Sequence, residues 1–190
     1  QLSLKNLKLE GDSILFHTIN RNKESYVVDL QNAEDRVKVE KLITRADVLI
    51  ENFQPGTMEK FGLSYEHVKK LNPRLVYGRI SGYGEEGPWR DKADQDILVQ
   101  ALSGLTWLNG NQDQPPTPFG LAVADMLAAA HLVQGILACL IRRGQTDSGD
   151  LVEVSLLESI LQFQFEVLTT HLNDGGKQPN RSKINNAHAY

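Results

Sequence analysis

Asp125 opens one of the most apolar stretches of the chain, "FGLAVADMLAAAHLVQGILACLIRR" (Phe119–Arg143), and no other group invites a chemical reading so directly. Three roles compete for it: a helix cap, a flaw in a membrane segment, or a reactive group at the edge of a core. Aspartate is among the best N-caps, and losing such a cap costs about 1 kcal/mol. Capping and reactivity do not exclude each other. Backbone N–H groups and the helix dipole hold a carboxylate at a helix N-terminus ionised. An ionised, poorly hydrated carboxylate is what nucleophilic catalysis uses. As a membrane span, Val123 to Ile141 is just long enough, yet it carries Asp125, His131 and Gln134 and stands alone, which favours a buried core helix.

The remaining reactive residue types form no familiar constellation. Five histidines are scattered without an HExxH pair, and there is no CxxC pair, so no metal site is expected. His131 lies nearly two helical turns past Asp125 and reads as a core histidine. Cys139, the single cysteine, sits mid-helix in apolar company, a poor setting for a nucleophile. No GxSxG elbow occurs. Two loops could serve a ligand. "ENFQPG" (Glu51–Gly56) reads either as a type II turn at Pro55-Gly56 or as a ligand loop in which Asn52 and Phe53 offer an amide and a ring. "SGYGEEGP" is glycine-rich but fits neither the dinucleotide fingerprint nor the phosphate loop, so a plain turn is its default.

The elements that must position these groups follow from periodicity and punctuation. "SILFHTI" (13–19) and "SYVVDL" (25–30) read as short strands around a polar turn. "AEDRVKVEKLITRA" is an amphipathic helix, "DVLIENF" a buried strand, and "YEHVKKL" a helix capped by Ser64 and stopped by Asn72-Pro73 before the strand "RLVYGRIS". Asp94 or Asp96 starts the next helix. The apolar helix, the strand "LVEVSL" and a last helix from Leu156 to His171 follow, with an aperiodic tail. Strand and helix alternating in this order predict an α/β fold: a parallel, Rossmann-like sheet with helices on both faces. Ligands on such sheets bind at the carboxyl ends of strands, where both loops lie.

Composition bounds the rest. The 190 residues carry a net charge of −4, with 41% hydrophobic and 23% charged residues, ordinary values for a globular domain. Nothing basic enough for nucleic acid is present. A lone cysteine excludes an intrachain disulfide and fits a reducing, cytoplasmic setting. The first residues, which do not begin with methionine, lack the apolar core of a signal peptide.

Five stretches in order resemble the class III CoA-transferase family, which includes formyl-CoA transferase, the carnitine CoA-transferase group and α-methylacyl-CoA racemase. They are "NRNKESYVVDLQ", "RADVLIENFQPGTMEKFGLSYEHVKKLNPRLVYGRISGYGEEGPW", "QDILVQALSGL", "PPTPFGLAVADMLAAAHLVQGILACL" and "LVEVSLLES", from about Asn20 to Ser159. The resemblance implies transfer of CoA from an acyl-CoA donor to a carboxylic acid through aspartyl anhydride and aspartyl-CoA thioester intermediates, with no metal and no cofactor beyond CoA. The family's nucleophilic aspartate falls on Asp125. Asp96 falls where some transferases carry a second acidic residue near the thioester. Gln95 stands where the family's racemases place a histidine. Asn52 and Phe53 fall in the loop that contacts CoA, with Thr57 and Lys60 just beyond. Val28 and Gln31 match positions near the adenine end, although relatives often have a lysine where this chain has Gln31. A racemase on the same fold and a catalytically silent acyl-CoA-binding protein are the alternatives.

Family members are considerably longer and form interlocked homodimers. On that pattern residues 1–172 are the central part of the large domain, and residues 173–190 begin a link toward a small domain.

Overall fold

The computed structural model describes residues 8–9 and 11–181. A two-residue antiparallel ladder, β1 (Lys8–Leu9) with β2 (Asp12–Ser13), leads into α1 (Ile14–Ile19). Then come α2 (Ala33–Ile43), β3 (Val48–Glu51), α3 (Thr57–Lys60), α4 (Tyr65–Leu71) and β4 (Val76–Ser81). The second half runs α5 (Asp96–Leu102), α6 (Leu105–Leu108), α7 (Val123–Thr146), β5 (Leu151–Ser155), α8 (Leu156–Phe163) and α9 (Phe165–Asn173). The strands β3, β4 and β5 lie side by side in that order, all parallel, with Val48 opposite Val76 and Tyr77 opposite Leu151. The parallel α/β architecture expected from the alternation is present.

Local chemistry explains several helix starts. The Asn32 side chain accepts from Glu34 N at 2.8 Å and opens α2, with Glu34 and Asp35 set against the helix dipole. Ser64 Oγ accepts from His67 N at 3.3 Å and opens α4. Ser155 and Glu158 stand at capping-box spacing: Ser155 Oγ accepts from Glu158 N at 3.1 Å and donates to its carboxylate at 2.9 Å.

Residues of β4 alternate between two faces, as strand geometry requires. Tyr77 joins Ile43, Met58, Leu63, Val68 and Leu75 under α2 and α4. Val76 joins Leu132 and Ile136 of α7 on the other face. The α7 stripe Ala124, Ala128, Leu132, Ile136 recurs at helical spacing and is buried. Two glycines let α7 come close. A Cβ on Gly78 would sit 3.1 Å from Leu132 and Ile136, and one on Gly135 would strike Val152 at 2.5 Å.

Three expectations are corrected. Residues 14–19 are helical, because Ser13 Oγ accepts from Phe16 N at 3.0 Å and supplies a cap that the β-branched composition does not overcome. Residues 25–30 form no strand; Val27 is 92% exposed, and strand propensity has little force without a neighbouring ladder. The helix from Leu156 divides at Gln164, whose side-chain amide turns aside to donate to Ser103 O at 2.7 Å. The tail is docked as far as Arg181, which is 8% exposed, donates to the carbonyls of Asn109, Gln114 and Pro115, and stacks over Trp107. The rest of the expected link, residues 182–190, lies outside the described residues.

Helix α7 is long and apolar enough to cross a membrane. One stripe of it is buried as expected of a core helix, but Met126, Val133, Leu137 and Ile141 are exposed, the last at 74%. Ile97, Leu98 and Leu102 of α5 are exposed as well. Contiguous apolar surface of this kind drives association. The 190-residue chain expressed alone is therefore expected to self-associate, and sedimentation showing a monodisperse monomer would contradict this.

Candidate functional site

The carboxyl ends of β3 and β4 face loops that meet. Pro55-Gly56 forms the expected type II turn: Thr57 N donates to Gln54 O at 3.0 Å, and Gly56 takes φ 83°, a conformation that glycine adopts without strain. Asn52 and Phe53 stand exposed at the rim of this turn, and Thr57 and Lys60 occupy the short α3 beside it. Glu51 Oε2 accepts from Phe53 N at 2.8 Å and fixes the entry to the loop. From the second loop Arg90 lies over Gly56, 3.2 Å from where a Cβ would be, and Asp94 Oδ1 accepts from Gln54 Nε2 at 3.3 Å.

Asp96 and Asp125 are brought together, but not as Asp125's sequence position suggests. Helix α7 starts at Val123, its N-cap is Ala122, and Asp125 stands inside the first turn. The cap is Asp96, reaching across from the first position of α5. Its Oδ2 accepts from Ala124 N at 2.6 Å and from Asp125 N at 3.2 Å. Its other oxygen accepts from Gln100 Nε2. The expectation that Asp125 caps its own helix is therefore corrected. So is the expectation of a carboxylate held ionised: the N–H groups that would do so are occupied by Asp96. Partial desolvation, then the charges of Asp96 and Asp94, push the Asp125 carboxyl above the usual carboxylate range. Asp125 is nonetheless exposed in this chain rather than poorly hydrated.

Gln100, 1% exposed, is the clasp behind this pair. Its amide donates to Asp96 and to Leu121 O at 3.2 Å, and its carbonyl oxygen accepts from Phe119 N at 2.8 Å, so α5 and the segment before α7 are held as one piece. Gln95 is the exposed N-cap residue of α5 and makes no side-chain capping bond. Val28 and Gln31 lie in the coil ahead of α2; Gln31 N donates to Asp29 at 2.8 Å, and Arg36 of α2 donates to Gln31 O at 2.9 Å. His131 pairs with Ser159 of α8 at 3.1 Å, as a packed histidine would.

Arg79 is a feature that pattern reading missed. Glu51, Arg79 and Glu153 lie in register across β3, β4 and β5. Arg79 Nε donates to Glu153 at 2.9 Å, and its guanidinium faces Glu85 at 3.6 Å and Glu59 at 3.8 Å. With one cation among several acids, burial pushes the carboxyls of Glu51 and Glu85 upward. These groups border a polar cleft of about 360 Å³ lined by Arg79, Ser81, Glu85, Glu153 and Glu158. A second, apolar cavity of about 290 Å³ lies between Trp107 and Val167–His171. Asp125 lines neither of them. An arginine in an apolar strand and a glutamine amid Ile97, Leu98, Ala101 and Leu102 were the available signals.

A parallel sheet with helices packed on it, loops that meet at its carboxyl ends and a carboxylate pair at a helix start define the class: a parallel α/β protein. The profile of CoA-transferase family III matches residues 3–190, and the chain belongs to that family. It is 34% identical over 185 residues to succinyl-CoA–D-citramalate CoA-transferase of Chloroflexus aurantiacus, covering 94% of this chain and 46% of that protein. It is 37% identical over 182 residues to acetyl-CoA:oxalate CoA-transferase of Acetobacter aceti, covering 95% and 46%. The crystal structure of a CAIB/BAIF family protein from Brucella suis superposes with a TM-score of 0.86 at 34% identity, covering 93% of this chain and 47% of that one. The chain thus spans a little under half the length of these relatives.

Proposed function

We propose that the complete protein transfers CoA from an acyl-CoA to a carboxylic acid, with Asp125 as the nucleophile. The observation that carries this reading is the placement of Asp125: in the first turn of α7, exposed, with its own N–H and that of Ala124 held by Asp96. Its oxygens are left for a substrate rather than spent on the helix. The names of the relatives, CoA-transferases of succinyl-CoA and oxalate, support the class of donor and acceptor.

In this reading an Asp125 oxygen attacks the thioester carbonyl, the C–S bond breaks, and CoA leaves as a thiolate from the aspartyl–acyl anhydride. The thiolate attacks the aspartyl carbonyl, releasing the donor acid and leaving an aspartyl-CoA thioester. The acceptor carboxylate then displaces the thiolate to form a second anhydride. Attack of the thiolate on the acceptor's acyl carbon yields the new acyl-CoA and restores Asp125. Four acyl-transfer steps through covalent aspartyl intermediates replace one difficult direct exchange. Asn52, Phe53, Thr57 and Lys60 hold CoA, and Val28 and Gln31 lie toward its adenine end. Homodimeric assembly, a cytoplasmic setting and the absence of any cofactor beyond CoA complete the proposal.

Reaction type is decided at Gln95. A racemase needs an acid and a base across the α-carbon, and an amide exchanges no proton near neutral pH. Incubation of the complete protein with a 2-methylacyl-CoA in deuterated water is expected to give no deuterium at the α-carbon. A panel of short-chain and dicarboxylic acids is expected to yield at least one new acyl-CoA. Deuterium uptake at enzymatic rates would overturn the transferase reading in favour of an epimerase.

A further inference from the structure

Asp94 lies apart from the start of α5, which falls at Asp96, and its surroundings are unusual for a loop residue. Its side chain lies directly over Gly82 at the carboxyl end of β4. A Cβ on Gly82 would overlap the Asp94 Cβ and come within 2.7 Å of its Oδ2. Gly82 is buried and cannot yield, since its carbonyl also accepts from Leu157 N at 3.1 Å at the start of α8. The glycine is there for space: only a residue without a side chain leaves room for the carboxylate. From this fixed seat Asp94 accepts from Gln54 in the Asn52–Phe53 loop at 3.3 Å, and its charge acts on Asp125. Tyr83 OH donates to Ala93 O at 3.2 Å and closes the intervening loop on itself.

We propose that Asp94 is a positioning residue that fastens the Asn52–Phe53 loop to the rigid end of β4 and so sets its distance from Asp125. Asn52, Phe53 and Gln54 are exposed, so the Gln54–Asp94 bond is a side-chain restraint on a rim that has little packing to hold it. A rim held in place before the ligand arrives has less freedom to lose on binding. The inference rests on the CoA-transferase reading.

Calorimetric titration of CoA into the complete protein tests it without requiring turnover. Asp94→Ala is expected to weaken CoA binding about tenfold, the scale of a lost hydrogen bond to a charged group. Gln54→Ala is expected to do the same, and the double variant no more than either alone, because both remove one tether. Asp94→Asn keeps an oxygen that accepts from Gln54 and is expected to restore affinity to within about twofold of wild type. A merely structural role for Asp94 would show no such rescue and no coupling to Gln54. Wild-type affinity in Asp94→Ala, an Asp94→Asn protein as weak as Asp94→Ala, or strictly additive losses would each overturn the proposal alone. Failure of the wild-type protein to bind CoA would overturn the transferase reading and this one with it.

Discussion

Asp125→Asn in the complete protein is expected to lower kcat by about three orders of magnitude or more, with CoA affinity changed far less. An amide oxygen cannot form the anhydride, while the side chain keeps the size and shape of the carboxylate it replaces. The fold is expected to survive because no cap is at stake: Asp96, not Asp125, holds the N–H groups of Ala124 and Asp125. The sign of the pH effect sharpens the prediction. Folding raises the Asp125 pKa, so the protonated form is favoured in the folded state. That contribution is full below the unfolded value and is lost as pH rises through the folded value. Above it the ionised carboxylate weighs on the native state, and asparagine removes the burden. The variant is therefore expected to match or slightly exceed the wild type in thermal midpoint at neutral pH. The gain should be small, since Asp125 is exposed and its charge screened. Near wild-type turnover in Asp125→Asn would return the residue to a bystander role.

The second large effect is expected at Asp96. Its carboxylate accepts from two backbone N–H groups of α7 and from the buried amide of Gln100. Asp96→Ala removes a side-chain cap of α7 and takes the acceptor from the buried Ala124 N–H, so a loss of about 2 kcal/mol is expected. Denaturant unfolding of the complete protein would read it as a lower midpoint with unchanged slope. Activity is expected to fall as well, because the first turn of α7 carries Asp125. Asp96→Asn keeps an acceptor oxygen and should recover much of the stability. An Asp96→Ala protein as stable as wild type would mean that the capping geometry contributes nothing.

Residues that act on near neighbours were legible in the sequence. Ser64 announces its helix at the first turn, and Asn72-Pro73 announces a stop. The runs at β3, β4 and β5 are short, apolar and punctuated, and all three strands form. Where the deciding partner lies far along the chain, local pattern misleads. Asp125 looks like a cap because aspartate before an apolar helix usually is one; nothing nearby shows that Asp96, 29 residues upstream, already fills that role. Arg181 reads as part of a loose tail until the carbonyls at 109, 114 and 115 converge on it. Residues 14–19 have strand composition, yet one serine hydroxyl sets them as a helix. The candidate site follows the same division. Its loops were visible as turn chemistry, whereas the Asp96–Gln100 clasp and the Glu51–Arg79–Glu153 ladder depend on tertiary register.

Trapping the covalent intermediate is the most direct test of the role assigned to Asp125. The complete protein, incubated with an acyl-CoA that it turns over and quenched with hydroxylamine, would be digested and its carboxylate-bearing peptides examined by mass spectrometry. Hydroxylamine attacks an anhydride or a thioester and leaves a hydroxamate on the carbonyl it captures. A hydroxamate on Asp125, in the peptide containing "FGLAVADMLAAAH", is expected with the acyl-CoA and absent without it. A protein that turns over under the same conditions with Asp125 unmodified, or with the hydroxamate on another carboxylate, would contradict nucleophilic catalysis by Asp125.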